Sequence, residues 1–226
     1  MLSIAALCKQ KDWEFLYYTK SMSEHHKKEK QSNYFNSILL GMQHVEIVDE
    51  EYRNFIFSLR LNLDVKTLII DQGGADEGAK IGLMALAREI REANMEFKSI
   101  ATPSGTGTTA LFLAMALPEC KVYTTPCVGD SEYLRMQMSA LHPIPNNLVI
   151  LEPTKKYHFA KLYPEFLEIY HKLKNCGVEF DLLYAPAMWM ALMEQTTESV
   201  LYVHSGGVSG NTSMLKRYEN KKGTSR

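Results

Sequence analysis

The sequence predicts an α/β protein with mostly parallel sheets and helices on both faces of the sheets. Three observations favour this class: strand-like and helix-like segments alternate along the chain, glycine-rich turns follow three of the strand-like segments, and 46% of the 226 residues are hydrophobic. Neighbouring parallel strands need a crossover connection, usually a helix, so the alternation is what such a sheet requires.

Composition and charge exclude several classes of protein. The chain carries 25 Lys and Arg against 26 Asp and Glu, a formal net charge of −1, and this balance gives no electrostatic footprint for nucleic acid or an acidic membrane surface. The four cysteines lie far apart without a C-x-x-C motif, so neither a disulfide framework nor a metal site is expected. No apolar run approaches the roughly 18 residues of a membrane helix, and the N-terminus does not read as a leader peptide. A cytoplasmic protein is expected.

Residues 1–62 are predicted to form part of a small lobe. Apolar residues at helical spacing indicate the first helix, a β-rich EFLYY run indicates the first strand, and the charged run SMSEHHKKEK indicates a loop. Phe55 and Leu59, four residues apart, mark an amphipathic helix. The predicted elements here are helices over 2–9, 34–42 and 50–61, strands over 14–18 and 45–48, and a loop over 21–30.

Residues 63–215 are predicted to form a larger lobe, and residues 216–226 a polar tail. The alternation is sharper in this part, and Gly177 is expected to end one helix as its C-terminal cap. The predicted strands cover 67–70, 98–101, 121–124, 148–151, 180–184 and 200–204. The predicted helices cover 78–93, 109–117, 132–141, 164–175 and 187–194.

The stretch Ser104-Gly105-Thr106-Gly107-Thr108-Thr109 is the most informative motif. It follows a predicted strand and opens a helix, where free backbone N–H groups and the helix dipole favour an anion such as phosphate. It is not a Walker A loop, because no Lys-Ser/Thr pair follows the second glycine. It is not G-x-G-x-x-G either, because Leu111 stands where the third glycine would be. An ordinary glycine-rich turn is the alternative interpretation.

Two further glycine turns follow predicted strands. His204-Ser205-Gly206-Gly207 offers a single hydroxyl at Ser205, which could meet a ring heteroatom, and Gly73 and Gly74 could line the same cleft. Ligands of open α/β sheets collect outside the carboxyl ends of the strands, so one phosphorylated ligand that spans these turns is expected. An ordinary turn remains the alternative interpretation for each of these two glycine turns. His204 is expected to be a packed histidine of the core rather than a catalyst.

Other candidate residues favour structural roles. His25 and His26 lie among lysines without a ligand set for a metal ion, so an exposed loop is expected. Cys127 is expected to be an inert buried side chain. The methionine and tryptophan residues of the segment 188–193 are expected to belong to the core of a helix.

The order of these motifs resembles one family. A strand followed by QGGAD and a helix, then SGTGTT and a helix, then YHF, then YVHSGGV is similar to the pyridoxal 5'-phosphate (PLP) enzymes of the tryptophan-synthase-β class, fold type II. Within that class the chain resembles the 1-aminocyclopropane-1-carboxylate deaminase / D-cysteine desulfhydrase family over about residues 1–213.

The resemblance implies roles for named residues. Gly105, Thr106, Gly107, Thr108 and Thr109 match the loop that holds the cofactor phosphate. The same resemblance implies that Ser205 meets the pyridine nitrogen, and that Gly73 and Gly74 lie in the substrate cleft. Tyr157 matches a segment that brings a tyrosine near the substrate. A small amino acid is the implied substrate, with no metal.

Two departures from the family pattern bear on activity. The family's Schiff-base lysine and its substrate-gripping Ser-Asn segment lie N-terminal to the part that matches, so the chain resembles an N-terminally truncated member and is expected to be inactive by itself. The implied partner is a second copy, in a homodimer, or the missing N-terminal segment. The family's ring-opening deaminases also carry a Tyr-Glu pair around residues 185–189, where Met188 and Trp189 offer neither group.

Three functions therefore remain open from the sequence. The first is a deaminase or desulfhydrase-like lyase that acts on a C–N or C–S bond of a small amino acid. The second is a non-catalytic fragment or remnant that only binds a phosphorylated ligand. The third is an unrelated Rossmann-like nucleotide binder, which would share only features of the fold.

Overall fold

The computed structural model describes residues 1–223, without the side chains of residues 222 and 223, and the chain forms two compact units. In chain order, the helices are α1 (Leu2–Lys11), α2 (Glu24–Lys28), α3 (Asn33–Leu39), α4 (Tyr52–Leu61), α5 (Ala79–Glu92), α6 (Thr108–Ala116), α7 (Ser131–Leu141), α8 (Pro164–Asn175), α9 (Ala185–Gln195) and α10 (Asn211–Gly223). The strands are β1 (Leu16–Thr19), β2 (Gln43–Glu46), β3 (Ser99–Ala101), β4 (Lys121–Thr124), β5 (Leu148–Ile150) and β6 (Val200–Tyr202).

The first unit contains Met1–Ile69 and the chain from Ser209 onward. Its sheet consists of β1 and β2, which pair in parallel with Leu16 opposite Gln43. The imidazole of His44 on β2 hydrogen-bonds to the hydroxyls of Thr19, at 2.7 Å, and Tyr34, at 2.9 Å. These contacts join the strand pair to α3.

The second unit is Ile70–Val208, and it contains a four-stranded parallel sheet in the order β5-β4-β3-β6. Helices cover both faces of this sheet. Ile100 and Val122 pack on one face with the side chains of α6, whereas Ala101 and Tyr123, the next residue on each strand, pack on the other with Met188 of α9. Successive residues of a strand point to opposite faces, which explains why both faces are apolar. The predicted α/β class is confirmed.

One half-buried hydrogen-bond cluster attaches the C-terminal end of α6 to the sheet. The side-chain amide of Asn147 donates to the carbonyls of Ala114, Leu117 and Cys120 at 2.8–3.0 Å. The last carbonyls of a helix have no partner within the helix, so this amide supplies what α6 lacks. It fixes α6, and therefore the turn that precedes α6, against the segment that leads into β5.

Two predicted strands are wrong. Residues 67–70 form no strand, because the Asp64 carboxylate accepts hydrogen bonds from the Lys66 N–H and the Thr67 hydroxyl and makes a turn that leaves Leu68 exposed. Residues 180–184 form no strand, because the buried Asp181 carboxylate draws the backbone into the first turn of α9.

The predicted loop over 21–30 is also wrong, since it contains α2. The Ser23 hydroxyl accepts a hydrogen bond from the His26 N–H at 3.4 Å, and Lys27 pairs with Glu24 one turn earlier, at 3.0 Å. A capping serine and an (i, i+3) ion pair suffice for a short exposed helix.

Helix α10 occupies much of the predicted polar tail, while residues 224–226 lie outside the described residues. The predicted lobe boundaries at residues 62/63 and 215/216 stay a prediction; the two units divide at residues 69/70 and 208/209. Gly177 follows the C-terminal end of α8 with φ of +92°, as expected of a glycine cap. No helix of the described residues is long and apolar enough to cross a membrane.

Candidate functional site

The turn between β3 and α6 is fixed by backbone pairing that extends beyond the strands. The Ser104 N–H donates to the Thr125 carbonyl at 3.1 Å, and the Cys127 N–H donates to the Ser104 carbonyl at 2.8 Å. These bonds continue the parallel pairing of β3 with β4 beyond the two strands. They therefore fix where the turn begins, at the carboxyl ends of these strands.

Side-chain hydroxyls below the turn form a buried chain. The hydroxyls of Ser104 and Thr124 lie 2.6 Å apart, and the Thr124 hydroxyl lies 2.8 Å from the Thr102 carbonyl. Ser104 is buried and is thus part of the support of the turn. The hydroxyls of Thr106 and Thr108 pair with each other at 3.0 Å in the upper part of the turn.

Gly107 is the N-cap of α6 and requires glycine for two reasons. Its φ is +82°, which L side chains rarely adopt, and a Cβ at this position would overlap the side chain of Met138, with the sulfur only 2.7 Å away. No side chain of the described residues caps this helix. The first N–H groups of α6 are therefore available to a ligand, and the helix dipole favours an anion there.

The three glycine turns line one cavity of about 390 Å³. A Cβ on Gly73 would lie 2.8 Å from the Thr106 methyl carbon, so the backbone of one turn lies directly against the side chain of another. Seven of the predicted site residues contribute to the lining: Gly73, Gly105, Thr106, Gly107, Thr108, Thr109 and Ser205.

Gly74 and Tyr157, the other two predicted site residues, are not among those that line this cavity. The Gly74 N–H donates to the Asp71 carbonyl at 2.9 Å, which closes the turn. Tyr157 lies in an aromatic cluster, with its ring 4.6 Å from that of Phe166 and 4.9 Å from that of Tyr163. The roles that the resemblance implies for both residues stay predictions.

Tyr184 lines the cavity and was not among the predicted site residues. A Cβ on Gly105 would lie 3.4 Å from its ring, so the phenol lies beside the turn before α6. Burial, together with Cys127 and Asp181, raises the pKa of the Tyr184 phenol above its ordinary value. The segment compared with the family's Tyr-Glu pair began one residue later, at Ala185, and therefore left Tyr184 out.

Asp181 is a second residue that the sequence did not point to. Its carboxylate is 4% exposed and accepts hydrogen bonds from the N–H groups of Leu183, Tyr184 and Ala185. The two shortest are 2.9 Å and 2.6 Å. Asp181 thereby sets the backbone that carries Tyr184 into the cavity wall.

Helix α7 supplies two further polar side chains of the lining, Tyr133 and Gln137, and the turn at Gly73 supplies a third, Gln72. None of the described residues that line the cavity carries an ionised group at neutral pH, and its two titratable groups are the phenols of Tyr133 and Tyr184. Neutral donors and the end of α6 therefore set the electrostatics of this cavity, and they suit a small ligand with one anionic end.

Residues expected to be structural have structural contacts. His204 is exposed, which corrects its expected place as a packed histidine of the core, although its imidazole stacks on Phe180, with ring centroids 4.6 Å apart, and hydrogen-bonds to the Glu179 carbonyl at 2.9 Å. Cys127 is buried, and burial raises the pKa of its thiol to about 12. His25 and His26 are exposed, as expected, and the described residues contain no cluster that could hold a metal ion.

The methionine and tryptophan segment is only partly core. Met188 is fully buried, and the Trp189 ring stacks on Tyr202 with centroids 4.9 Å apart. Met193 is 59% exposed, which corrects its expected place in the core; it lies at the solvent-facing side of α9.

No protein-family model matches the sequence, and no curated protein matches it. Three solved structures align over nearly the whole chain. A pyridoxal 5'-phosphate-dependent aspartate racemase gives a TM-score of 0.60 at 9% identity, over 91% of this chain and 70% of its own. A hydrogen sulfide-producing enzyme from Fusobacterium nucleatum gives 0.59 at 11% identity, over 91% and 74%.

The third structure is an L-serine ammonia-lyase from Rhizomucor miehei, with a TM-score of 0.56 at 12% identity, over 97% of this chain and 78% of its own. Identities this low carry information about the fold alone. The chain therefore has the α/β fold of these three amino-acid enzymes.

Proposed function

We propose that this chain is the PLP-binding part of a lyase that removes ammonia or sulfide from a small amino acid. The observation that carries the proposal is the cavity that Gly73, Thr106 and Ser205 line together, each on a different glycine turn. These turns follow one another along the chain in the order of the family that the sequence resembles.

The residues around the start of α6 fit a phosphate ester. The backbone at Gly105 carries no Cβ that would fill the space beside the Tyr184 ring, and α6 offers free N–H groups at this end. A cavity of about 390 Å³ lies within the range of roughly 300–1,000 Å³ that small-molecule sites occupy. Gly105–Thr109 would hold the phosphate through backbone N–H groups.

The turn that carries Ser205 fits a neutral ring. Ser205 is exposed to the cavity and brings a hydroxyl, which would hydrogen-bond to the pyridine nitrogen. A hydroxyl is not acidic enough to keep that nitrogen protonated, in contrast to a carboxylate. A ring with an unprotonated nitrogen withdraws electron density less strongly, which suits elimination and deamination.

PLP, when bound, supplies an electron sink for negative charge at the Cα of an amino acid. The chain itself supplies the Tyr184 phenol beside the phosphate turn. Because the pKa of this phenol is raised, it stays protonated at neutral pH and can donate a hydrogen bond or a proton to a leaving group.

The finer choice of reaction favours elimination over ring opening. Ring-opening deaminases of the family carry a Tyr-Glu pair, and here Tyr184 is followed by Ala185, so the carboxylate is lacking. The names of two of the structural neighbours, a hydrogen sulfide-producing enzyme and an ammonia-lyase, contain the two small products, sulfide and ammonia, that the proposed lyase would release. A homodimer, implied by the resemblance, is part of the proposal and can be measured by light scattering.

A second function has its own supporting observation. The described residues that line the cavity include no lysine, and the family's chemistry needs one. The alternative is therefore a protein that binds a phosphorylated ligand without turnover, unless a lysine comes from outside these residues.

The deciding experiment combines binding with turnover. The purified chain is titrated with pyridoxine 5'-phosphate and with pyridoxine, then loaded with PLP and offered D-cysteine, L-serine and 1-aminocyclopropane-1-carboxylate, with pyruvate and 2-oxobutanoate as the measured products. Phosphate-dependent binding with product supports the lyase. Because the described lining has no lysine, such binding without product is expected of the purified chain under both functions, whereas equal affinity for both probes contradicts both.

A further inference from the structure

Helix α7 presents two different faces, one toward the cavity and one toward the core. Tyr133 and Gln137, one helical turn apart, line the cavity. Leu134 and Met138, one position further along, are fully buried in the core of the second unit. Because Leu134 and Met138 are packed in the core, α7 cannot turn about its axis. Tyr133 and Gln137 are therefore held on the side of α7 that lines the cavity.

The position of α7 is fixed at both ends of the cavity-facing stretch. Met138 lies so close to Gly107 that no side chain fits there, which brings α7 directly against the N-terminus of α6. At the other end the Tyr133 ring lies on Gly129, where a Cβ would be 2.6 Å from Cδ1. The Asp130 carboxylate accepts a hydrogen bond from the Tyr133 N–H at 2.9 Å and caps the helix.

The donors of the turn itself are partly engaged. The Ser104 hydroxyl is paired with Thr124, and the Thr106 and Thr108 hydroxyls pair with each other. Within residues 1–223, the Tyr133 phenol and the Gln137 amide make no side-chain hydrogen bond. Both residues line the cavity, Tyr133 exposed and Gln137 half-buried, and the described lining has no cation.

This second proposal rests on the proposed function: we propose that Tyr133 and Gln137 donate hydrogen bonds to the phosphate monoester held at the N-terminus of α6. The three terminal oxygens of a phosphate accept more hydrogen bonds than the backbone of one turn supplies, and a bond to an anion is stronger than one between neutral groups. Gln137 donates through its side-chain NH₂ and Tyr133 through its O–H. Through these two side chains, α7 makes the cavity prefer a phosphorylated ligand.

The test compares two probes that differ only in the phosphate, pyridoxine 5'-phosphate and pyridoxine. Neither carries an aldehyde, so neither reacts with surface lysines. The variants are Tyr133→Phe, Gln137→Leu and the double variant. The matched controls are Tyr52→Phe, in the first unit, and Met136→Leu, on the exposed side of α7.

Each single variant is expected to lose about tenfold in affinity for pyridoxine 5'-phosphate, as for one hydrogen bond to a charged group. Its affinity for pyridoxine and its melting temperature are expected to stay at the wild-type values, as are both affinities of the controls. Should Gln137→Leu fail to fold, Gln137→Glu serves instead, because a carboxylate there repels the phosphate and lowers the affinity further.

Three results would overturn the inference, and they are distinguishable. If the wild type prefers the phosphorylated probe while the variants bind it equally well, the α7 donors are refuted and the proposed function stands. An equal loss for both probes would place the two side chains on the ring rather than the phosphate. If the wild type shows no preference at all, the proposed function fails together with this inference.

Discussion

The backbone of Gly206 lies against the buried carboxylate of Asp181, so closely that a side chain at position 206 would overlap it. The same carboxylate accepts hydrogen bonds from the N–H groups of residues 183–185, which lead into α9. One buried acidic group therefore supports both the turn that carries Ser205 and the segment that carries Tyr184. Two parts of the cavity wall, far apart in the chain, depend on this single contact.

The first prediction concerns this contact. In Gly206→Ala the new methyl group has to displace the Asp181 carboxylate, which would strain three hydrogen bonds. We expect a loss of about 1–3 kcal/mol in the free energy of unfolding, measured by urea denaturation. Binding of pyridoxine 5'-phosphate is expected to weaken with it.

Gly82→Ala is the matched control for Gly206→Ala. Gly82 lies within α5, and a Cβ there would meet nothing within 4 Å. Alanine is the better helix former, so this variant is expected to gain up to about 1 kcal/mol. Equal stability of the two variants would show that Gly206 does not need to be glycine.

The second prediction separates the ring end of the cavity from its phosphate end. Ser205→Ala removes the hydroxyl proposed to meet the pyridine nitrogen, and Ser205 is exposed, so the fold should not change. We expect about a fivefold loss of affinity for both pyridoxine and pyridoxine 5'-phosphate, the size of one neutral hydrogen bond. Calorimetric titration measures it; a loss confined to the phosphorylated probe would contradict the assignment of Ser205 to the ring.

The third prediction concerns stability at alkaline pH. Burial raises the pKa of the Cys127 thiol from about 9 to about 12. The thiol ionises at the lower pH in the unfolded chain, so its contribution to stability is complete below pH 9 and is lost as the pH rises toward 12. Burial also raises the pKa values of the Tyr184 and Tyr202 phenols. Their ionisation in the unfolded chain therefore also lowers stability at alkaline pH.

Unfolding by urea at a series of pH values checks the alkaline prediction. Cys127→Ala should show a smaller loss of stability between pH 9 and pH 12 than the wild type. Cys176→Ala, which changes an exposed thiol, should follow the wild-type curve. If the two variants gave the same slope, the buried thiol would not account for the alkaline loss.

The fourth prediction concerns the amide that attaches α6 to the sheet. Asn147→Asp replaces the donor with a carboxylate that faces three carbonyl oxygens. We expect a loss of about 2–4 kcal/mol at neutral pH, because the carbonyls lose their partner and meet a like charge. Asn146→Asp, one residue earlier and exposed, is expected to change stability by less than about 0.5 kcal/mol. Similar losses in both would refute the role of Asn147.

Most of the fold followed from local patterns. The strand 121–124 and the helix 164–175 were predicted with the bounds that the structure has, because apolar spacing and glycine or proline positions determine them locally. The strand predicted over 180–184 failed, since a buried carboxylate bends that segment, and no window of sequence shows that Asp181 is buried.

The candidate site followed from sequence in part. The turns at Gly105 and Ser205 follow β3 and β6, and the parallel sheet brings these strand ends to one edge, whereas the turn at Gly73 follows no strand and reaches the cavity through tertiary contacts. Tyr184, Tyr133 and Gln137 were missed, because each lies on an ordinary-looking helix or turn and its direction depends on how α7 and α9 pack. Gly74 was included since it neighbours Gly73, although it is not among the lining residues.

The sequence by itself determined the α/β class, the order of most of the elements and the three glycine turns, because periodicity and backbone freedom are properties of neighbouring residues. Only the tertiary structure decided which side chains share the cavity and which N–H groups stay free for a ligand. Those depend on contacts between residues far apart in the chain, such as Gly107 with Met138 and Gly206 with Asp181.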